Sequence, residues 1–296
     1  MEQFSTNTGL NLARKWRSKD FIEIVGQDLS IRLLKNGLYK NQFFPVYLFS
    51  GTRGSGKTST ARVFACSLNC ENLSNFQQNP QSNKLPCLTC NSCLSMKSGN
   101  HPDFIEIDAA SNTGVDNVRQ IIDSASFLPI LGAKKIYLID EAHMLSKAAF
   151  NALLKILEEP PLNVTFILAT TDPQKIIETV RSRCFQLFFT PISFDTISKH
   201  LENICVAENI KFEKAALNLI SLESEGSIRD AINLLERVRL ASDIVDSKTV
   251  CDILGHLQEP KIIDLLDIVL NKSEIELINF VSTLDLKRYS LVPLWK

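Results

Sequence analysis

Eight consecutive residues constrain this chain more than any others: Gly51-Thr52-Arg53-Gly54-Ser55-Gly56-Lys57-Thr58, with the spacing G-x-x-x-x-G-K-T. The four residues centred just before them, Val46-Tyr47-Leu48-Phe49, are apolar, aromatic and β-branched, which predicts a buried strand. Residues 58–68 hold no Gly or Pro and set Ala61, Phe64, Ala65 and Leu68 on one helical face. Strand, glycine loop and helix in that order separate a P-loop from a glycine turn with a chance lysine. Glycines let the backbone curl so that successive N–H groups face inward and cradle phosphate oxygens at a helix N-terminus. Lys57 then reaches the outer phosphates and the Thr58 hydroxyl ligates Mg²⁺. The predicted nucleotide cradle is therefore Gly51, Thr52, Arg53, Gly54, Ser55, Gly56, Lys57 and Thr58.

A second chemical element is Lys135-Ile136-Tyr137-Leu138-Ile139-Asp140-Glu141, a continuous apolar strand ending in two acids, as in a Walker B segment. A carboxylate at the C-terminal end of a parallel strand lies where such sheets bind ligands. Asp140 holds Mg²⁺ directly or through water, and Glu141 orients and polarises the attacking water. An acidic pair after a strand is common alone; the glycine loop upstream gives it meaning.

The eight cysteines need an explanation. No apolar run approaches the roughly 18 residues of a membrane span, and the first fourteen residues are polar, without the apolar segment of a signal peptide. Cytoplasmic residence is the expectation, which disfavours a disulfide framework. Cys87, Cys90 and Cys93 form C-x-x-C-x-x-C, and Cys70 ends the helix after the glycine loop. Four thiolates are what a closed, structural, tetrahedral zinc site needs; the alternative is buried or unpaired cysteines. The intervening residues 71–86 are rich in Asn, Gln and Ser and read as a mobile loop. His101 reads as an ordinary loop residue, and Cys66, Cys184, Cys205 and Cys251 as core packing. A net charge of −1 offers no global field for nucleic acid, so any DNA contact must be local.

Along the rest of the chain, Arg14-Lys15-Trp16-Arg17 reads as a solvated surface segment. Asp28 is the expected N-cap of a helix through Leu38 with Leu29, Leu33 and Leu34 inward. Residues 103–107 alternate as a strand, and residues 115–125 form a helix with Val118, Ile121 and Ile122 inward. A helix over 146–158 is closed by Pro160-Pro161, and residues 164–169 form a buried strand. Asp172 and Pro173 start a helix reaching about residue 180, with Arg181 and Arg183 beyond its end, where dipole complementation is the simple reading. After Pro191 the pattern is helical only, over 194–208, 213–222 and 227–240. Ser227 and Asp230 form a capping box that sets Arg229 on the first turn, where a plain surface charge is the simple reading. Residues 261–269 and 274–284 carry apolar stripes with few partners left in the sequence.

Taken together, these blocks resemble the clamp-loader ATPases of bacterial DNA polymerase III, the gamma/tau family of AAA+ proteins. The match spans about residues 10–255. It rests on the glycine loop, the four cysteines, Leu138-Ile139-Asp140-Glu141, Ala13-Arg14-Lys15-Trp16-Arg17 and Val25-Gly26-Gln27. Further matching blocks are Asp108-Ala109-Ala110-Ser111, Leu157-Glu158-Glu159-Pro160-Pro161, Ala169-Thr170-Thr171-Asp172-Pro173, Ser182-Arg183-Cys184 and Gly226-Ser227-Ile228-Arg229-Asp230. The resemblance implies that Val25 and Gly26 line the adenine pocket and that Thr171 is sensor 1. It also implies that Arg183 is an arginine finger for a neighbouring subunit's ATP, and that Arg229 is sensor 2. Family members carry basic residues after Asp-Ala-Ala-Ser; here Asn112 and Gly114 stand there, leaving Arg119 as the candidate phosphate contact.

The fold class expected is α/β: an AAA+ P-loop parallel sheet flanked by helices with a zinc-binding insertion, then an all-helical lid and the start of a helical collar. Expected boundaries are 1–190 for the ATPase domain, with the zinc module at about 66–97, then 191–255 for the lid and 256–296 for a partial collar. The resemblance implies ATP, Mg²⁺ and Zn²⁺ as cofactors and loading of a sliding clamp onto primed DNA as the role. Implied partners are delta, delta-prime and further gamma/tau copies, with no membrane and no polymerase active site. A tau-like extension is absent from the sequence. A non-hydrolysing scaffold of the delta-prime type is the main rival, disfavoured by the intact Gly56-Lys57-Thr58 and Asp140-Glu141. A stand-alone zinc DNA-binding module and a branch-migration motor are weaker rivals.

Overall fold

The computed structural model describes residues 11–256, 259–271 and 274–283. The first ten residues and residues 284–296, which include part of the expected leaderless N-terminus and the end of the expected collar, lie outside the described residues. In chain order the elements are α1 (Leu12–Lys15), α2 (Asp28–Tyr39), β1 (Val46–Gly51), α3 (Lys57–Leu68), α4 (Leu73–Gln78), α5 (Asn91–Ser98) and β2 (Phe104–Asp108). They continue with α6 (Val115–Ala125), β3 (Lys135–Asp140), α7 (Lys147–Glu158), β4 (Val164–Thr170), α8 (Glu178–Arg181), β5 (Phe185–Phe189), α9 (Phe194–Ala207) and β6 (Lys211–Phe212). Last come α10 (Lys214–Glu223), α11 (Ile228–Ala241), β7 (Ile244–Val245), α12 (Ser247–Leu254), α13 (Glu259–Asn271) and α14 (Glu274–Thr283).

Residues 17–193 form one compact unit around a five-stranded sheet in the order β2-β3-β4-β1-β5, every pair parallel. Parallel strands covered by helices on both faces must be apolar at every position, and β1, β3 and β4 are buried almost throughout. Alternation sends Tyr47 and Phe49 to the face packed by α3, where the Tyr47 and Phe64 rings meet edge-on at 5.0 Å. Val46 and Leu48 go to the other face, where Tyr137 and Phe166 stack at 5.3 Å. Each such side chain contributes about 1.5–3 kcal/mol on burial. Because all strands point one way, the ends of β1, β3 and β4 share one edge, with β4 seated between the other two.

The buried stripe of α2 is Ser30, Leu34 and Leu38; Leu29 and Leu33 are exposed, against expectation. The stripe is displaced by one residue, and on this face the Ser30 hydroxyl donates to the Phe188 carbonyl of β5 at 3.0 Å. The N-cap of α2 is Gln27, not Asp28. Residues 71–86 are not a bare loop: α4 places Phe76 in the core, and Leu85 is buried. The helix expected from Asp172 is broken into a 3₁₀ turn at Pro173–Lys175 and α8, and β5 follows, which the sequence reading lacked.

Residues 194–283, with the segment through Trp16, belong to the second compact unit. The division thus falls near residue 193, and the Arg14–Trp16 segment groups with the helical unit rather than with the ATPase sheet. It is not merely solvated. Leu12 is buried and its N–H donates to Glu236 Oε1 at 3.0 Å. Trp16 Nε1 donates to Glu208 Oε1 at 2.8 Å, and Lys15 Nζ lies 2.7 Å from the same oxygen. Burial pushes the Glu208 carboxyl up, but these two partners outweigh it and hold it below its ordinary value. The Ser227 cap is present, its hydroxyl accepting the Asp230 N–H at 3.2 Å. The unit is not helical alone: β6 and β7 pair in parallel over two residues. Among the described residues, no helix is long and apolar enough to cross a membrane.

Candidate functional site

The glycine loop leaves β1 through Gly51, whose φ is +154° and whose absent Cβ would lie 2.1 Å from the Phe189 carbonyl oxygen. Only glycine lets β1 and β5 approach there. Gly54 and Gly56 also have positive φ, at +72° and +99°. Apart from its chain neighbours, nothing lies within 4 Å of where a Gly56 side chain would begin, and Gly56 is the N-cap of α3. A glycine turn that opens onto a helix N-terminus is where backbone N–H groups can receive a phosphate. Lys57 is buried, and its ammonium donates to the carbonyls of Gly51 at 2.9 Å and Thr52 at 2.8 Å. The Ser55 hydroxyl donates to the Thr52 carbonyl at 2.7 Å, tightening the loop, while Thr52 and Arg53 are exposed.

Gln27 is a site residue to which the sequence reading gave no role. Its buried Nε2 donates to the carbonyls of Ser55 at 3.1 Å and Thr190 at 2.8 Å, and its Oε1 accepts the Thr190 N–H at 3.2 Å. One amide thus braces the glycine loop against the chain leaving β5. Its signal was the Val25-Gly26-Gln27 block, visible without a function. Val25 is half-buried, and Gly26, with φ +73°, passes close to Ile192.

At the ends of β3 and β4 the predicted residues converge. Thr58 Oγ1 donates to Asp140 Oδ2 at 2.7 Å, and Asp140 Oδ1 accepts the Glu141 N–H at 3.0 Å. Glu141 adopts the left-handed conformation, φ 47° and ψ 44°, and its Oε2 accepts the Thr171 hydroxyl at 3.1 Å. His143, not foreseen, places Nδ1 3.5 Å from that oxygen and 3.0 Å from the Thr170 hydroxyl. Lys57, Thr58, Asp140, Glu141 and Thr171 thus gather at one edge of the sheet, a donor set that fits a triphosphate with a hard divalent cation held by Thr58 and Asp140.

Arg183 does not join them. Phe185 pairs with Tyr47 near the start of β1, so Arg183 lies off the opposite edge of the sheet from the glycine loop. Its guanidinium pairs with Glu158 Oε1 at 2.8 Å and donates to the Thr179 carbonyl. Arg229 is exposed on the first turn of α11 in the other compact unit. Arg119 pairs with Asp116 at 3.2 Å on an exposed helix face.

The sulfur atoms of Cys70, Cys87, Cys90 and Cys93 all lie within 4.8 Å of one another. Ligation at about 2.3 Å in a tetrahedron sets sulfurs about 3.8 Å apart, so the set fits a zinc ion with small closure. N–H groups of Cys87, Cys90 and Cys93 point at Cys70, Cys87 and Cys90 sulfurs respectively, each at 3.4 Å. Burial pushes the Cys87 thiol up, but hydrogen bonds from Thr89 and Cys90 outweigh it and hold it at about 6. Cys66, expected as plain core, has its sulfur 3.6 Å from that of Cys93.

Between this module and β2 lies a cavity of about 720 Å³ lined by Arg62, Met96, His101, Glu106, Asp108 and Asp140. His101 is buried, not a free loop residue. Its Nδ1 accepts the Asp103 N–H at 3.1 Å and its Nε2 meets the Ser92 hydroxyl at 2.9 Å, and burial lowers its basicity. Asp103, fully buried, accepts the N–H groups of Ile130, Leu131 and Gly132, each at 2.7 Å.

With this geometry described, known proteins can be compared. Residues 26–193 match the family model described as DNA polymerase III, delta subunit, and residues 196–238 match the DNA polymerase III clamp loader subunit, ATPase lid domain. The chain is 46% identical over 256 residues to the tau/gamma subunit of Haemophilus influenzae, covering 86% of this chain and 36% of that one. It is 44% identical to the tau subunit of Escherichia coli, covering 86% and 39%. It is 45% identical to the gamma subunit of Buchnera aphidicola subsp. Acyrthosiphon pisum, covering 88% and 70%. The chain therefore spans under two fifths of the Haemophilus and Escherichia relatives and 70% of the Buchnera one. Among solved structures, the Thermotoga maritima RuvB Holliday junction branch migration motor shares the fold, with a TM-score of 0.58 at 19% identity over 86% of this chain and 80% of that chain.

Proposed function

Because the chain belongs to the gamma/tau family of bacterial DNA polymerase III clamp-loader subunits, we propose that it binds MgATP on the glycine loop and hydrolyses it to place a sliding clamp on primed DNA. The observation that carries this reading is the Thr58–Asp140 bond beside a buried Lys57, with Glu141 held 3.1 Å from Thr171. Gly51, Thr52, Gly54, Ser55 and Gly56 wrap the phosphates with backbone N–H groups. Lys57 exchanges its two carbonyl partners for phosphate oxygens, a charged pair in place of neutral ones. Magnesium supplies charge neutralisation at the phosphate oxygens when bound. Thr58 and Asp140 hold it, which requires their mutual hydrogen bond to open. Glu141 orients the attacking water and accepts its proton as the bond to phosphorus forms. Thr171 turns its hydroxyl from Glu141 to the γ-phosphate. Val25 and Gly26 border the adenine, and Arg229 reports the nucleotide to the lid.

A finger on the far edge of its own sheet cannot serve its own cleft, so Arg183 acts on the ATP of a neighbouring copy. Hydrolysis then depends on ring geometry, with delta, delta-prime and further gamma/tau copies as the partners. Cys70, Cys87, Cys90 and Cys93 hold a structural zinc. The protein works in the cytoplasm and has no polymerase chemistry of its own.

The experiment is ATP turnover by the full chain reconstituted with delta, delta-prime, clamp and primed DNA. Clamp- and DNA-stimulated turnover that is lost with Glu141→Gln is the expected result. Turnover unaffected by Glu141→Gln favours the delta-prime-type scaffold.

A further inference from the structure

The four predicted zinc ligands do not receive equal support. Cys70, Cys87 and Cys90 each accept a backbone N–H at 3.4 Å, and Cys87 also accepts the Thr89 hydroxyl at 3.6 Å. No backbone N–H is seen to reach Cys93 Sγ among the described residues; its partners are thiols, the predicted ligands Cys70, Cys87 and Cys90 and, from outside that set, Cys66 at 3.6 Å. Cys66 is buried near the end of α3, four residues before Cys70, which lies just beyond that helix, and it meets Cys93 of α5. Its sulfur is not within the mutual 4.8 Å of the other four, so it stands beside the tetrahedron rather than in it. Metal-bound thiolates need such donors, and removing one typically costs 10–100-fold in metal affinity.

We infer that Cys66 is a fifth working member of the metal centre: its thiol hydrogen-bonds the ligating Cys93 sulfur, and under peroxide the two sulfurs join in a disulfide that ends ligation by Cys93. The inference rests on the zinc reading of Cys70, Cys87, Cys90 and Cys93 and deepens it. Cys87 and Cys90 are partly exposed and border the buried Cys93, so a small hydroperoxide approaches the cluster from their side. The Cys93 thiolate attacks one peroxide oxygen, the O–O bond breaks, and hydroxide leaves a sulfenic acid on Cys93. That hydroxide takes the Cys66 thiol proton and becomes water. The Cys66 sulfur attacks the Cys93 sulfur, an S–S bond forms, the S–O bond breaks and a second hydroxide departs. Two electrons pass from the two sulfurs to peroxide. Three remaining sulfurs no longer close the tetrahedron. α3, which bears Cys66, begins at Lys57, so the oxidised cysteine lies on the helix that leaves the glycine loop.

The test uses the zinc-loaded full chain as wild type, Cys66→Ala and Cys66→Ser. Zinc affinity is measured by competition with a chromogenic chelator, then zinc release and peptide linkage are followed after hydrogen peroxide. Cys66→Ala is expected to bind zinc about tenfold more weakly, while Cys66→Ser, which keeps a donor, stays within about threefold of wild type. Oxidised wild type is expected to release zinc with Cys66 and Cys93 peptides joined, and a thiol reductant to restore binding. Equal zinc affinity in all three proteins overturns the hydrogen-bonding half. Release of zinc from wild type with no Cys66–Cys93 linkage overturns the oxidative half. A wild-type chain that binds no zinc overturns the metal reading itself, an outcome distinct from both.

Discussion

Thr58 and Asp140, 82 residues apart, share a 2.7 Å hydrogen bond from the threonine hydroxyl to the carboxylate. It ties the first turn of α3 to the end of β3 across the intervening β4, and fixes where a divalent cation would sit. Lys57→Ala removes the buried ammonium beside it and is expected to weaken ATP binding at least about 30-fold, the cost of one charged contact to phosphate. Thr58→Ala is expected to lose magnesium dependence of binding, and Thr58→Ser to keep it. Nucleotide titration with and without magnesium checks both, and unchanged affinity in Lys57→Ala would falsify the phosphate assignment.

The Glu141 carboxylate accepts from Thr171 and not from the glycine loop, so the proposed function assigns it to hydrolysis rather than to nucleotide affinity. Glu141→Gln is expected to leave ATP affinity within about threefold while lowering turnover about 100-fold or more. Single-turnover hydrolysis in the reconstituted complex separates the two quantities.

Arg183, paired with Glu158 at the far edge of its sheet, predicts complementation between subunits. Under the proposed function, Arg183→Ala subunits would keep a working cleft and Lys57→Ala subunits a working finger. Each alone is expected to fall about 10³-fold in hydrolysis, and a mixture of the two to recover a measurable fraction. No recovery in mixed assemblies that form normally counts against a finger supplied from next door.

Asp103 predicts a pH dependence of stability. Burial raises its carboxyl, but the N–H groups of Gly132, Ile130 and Leu131 outweigh that and hold it below its ordinary value. The unfolded chain then binds the proton more readily. This stability is present above the ordinary carboxylate range and is lost as pH falls through the depressed folded value. His101, whose basicity burial lowers, acts in the same direction below about pH 6.5. Asp103→Asn is expected to cost about 3 kcal/mol at pH 7 and to flatten the acid limb. Urea unfolding from pH 7 to pH 3 measures this, and parallel wild-type and variant curves would refute it.

Much of the candidate site was legible before any coordinates. Gly51 through Thr58, Asp140 and Glu141 announce themselves because phosphate and cation chemistry demands those residue types at short spacing, and a strand before each motif sends both to one edge of a parallel sheet. The cysteine cluster was legible for the same reason. The errors fell where spacing is ambiguous. Leu29 and Leu33 fit a helical stripe as well as Ser30, Leu34 and Leu38 do, and the packing of α2 against the sheet, with Ser30 bonded to the Phe188 carbonyl, chose between them. Residues 71–86 looked mobile because their composition is polar, yet one aromatic, Phe76, anchors α4.

The residues themselves determined that a lysine, a threonine and an aspartate of phosphate- and cation-binding type meet at one edge of the sheet, and that four thiols gather. Tertiary structure alone decided that Gln27 braces the loop, that Asp103 ties down residues 130–132, that Arg183 points away from its own cleft, and that Cys66 stands against Cys93. Those partners are mostly backbone atoms or residues far along the chain. A carbonyl or an N–H is the same in every amino acid, so no residue type advertises it; only packing brings it within hydrogen-bonding distance.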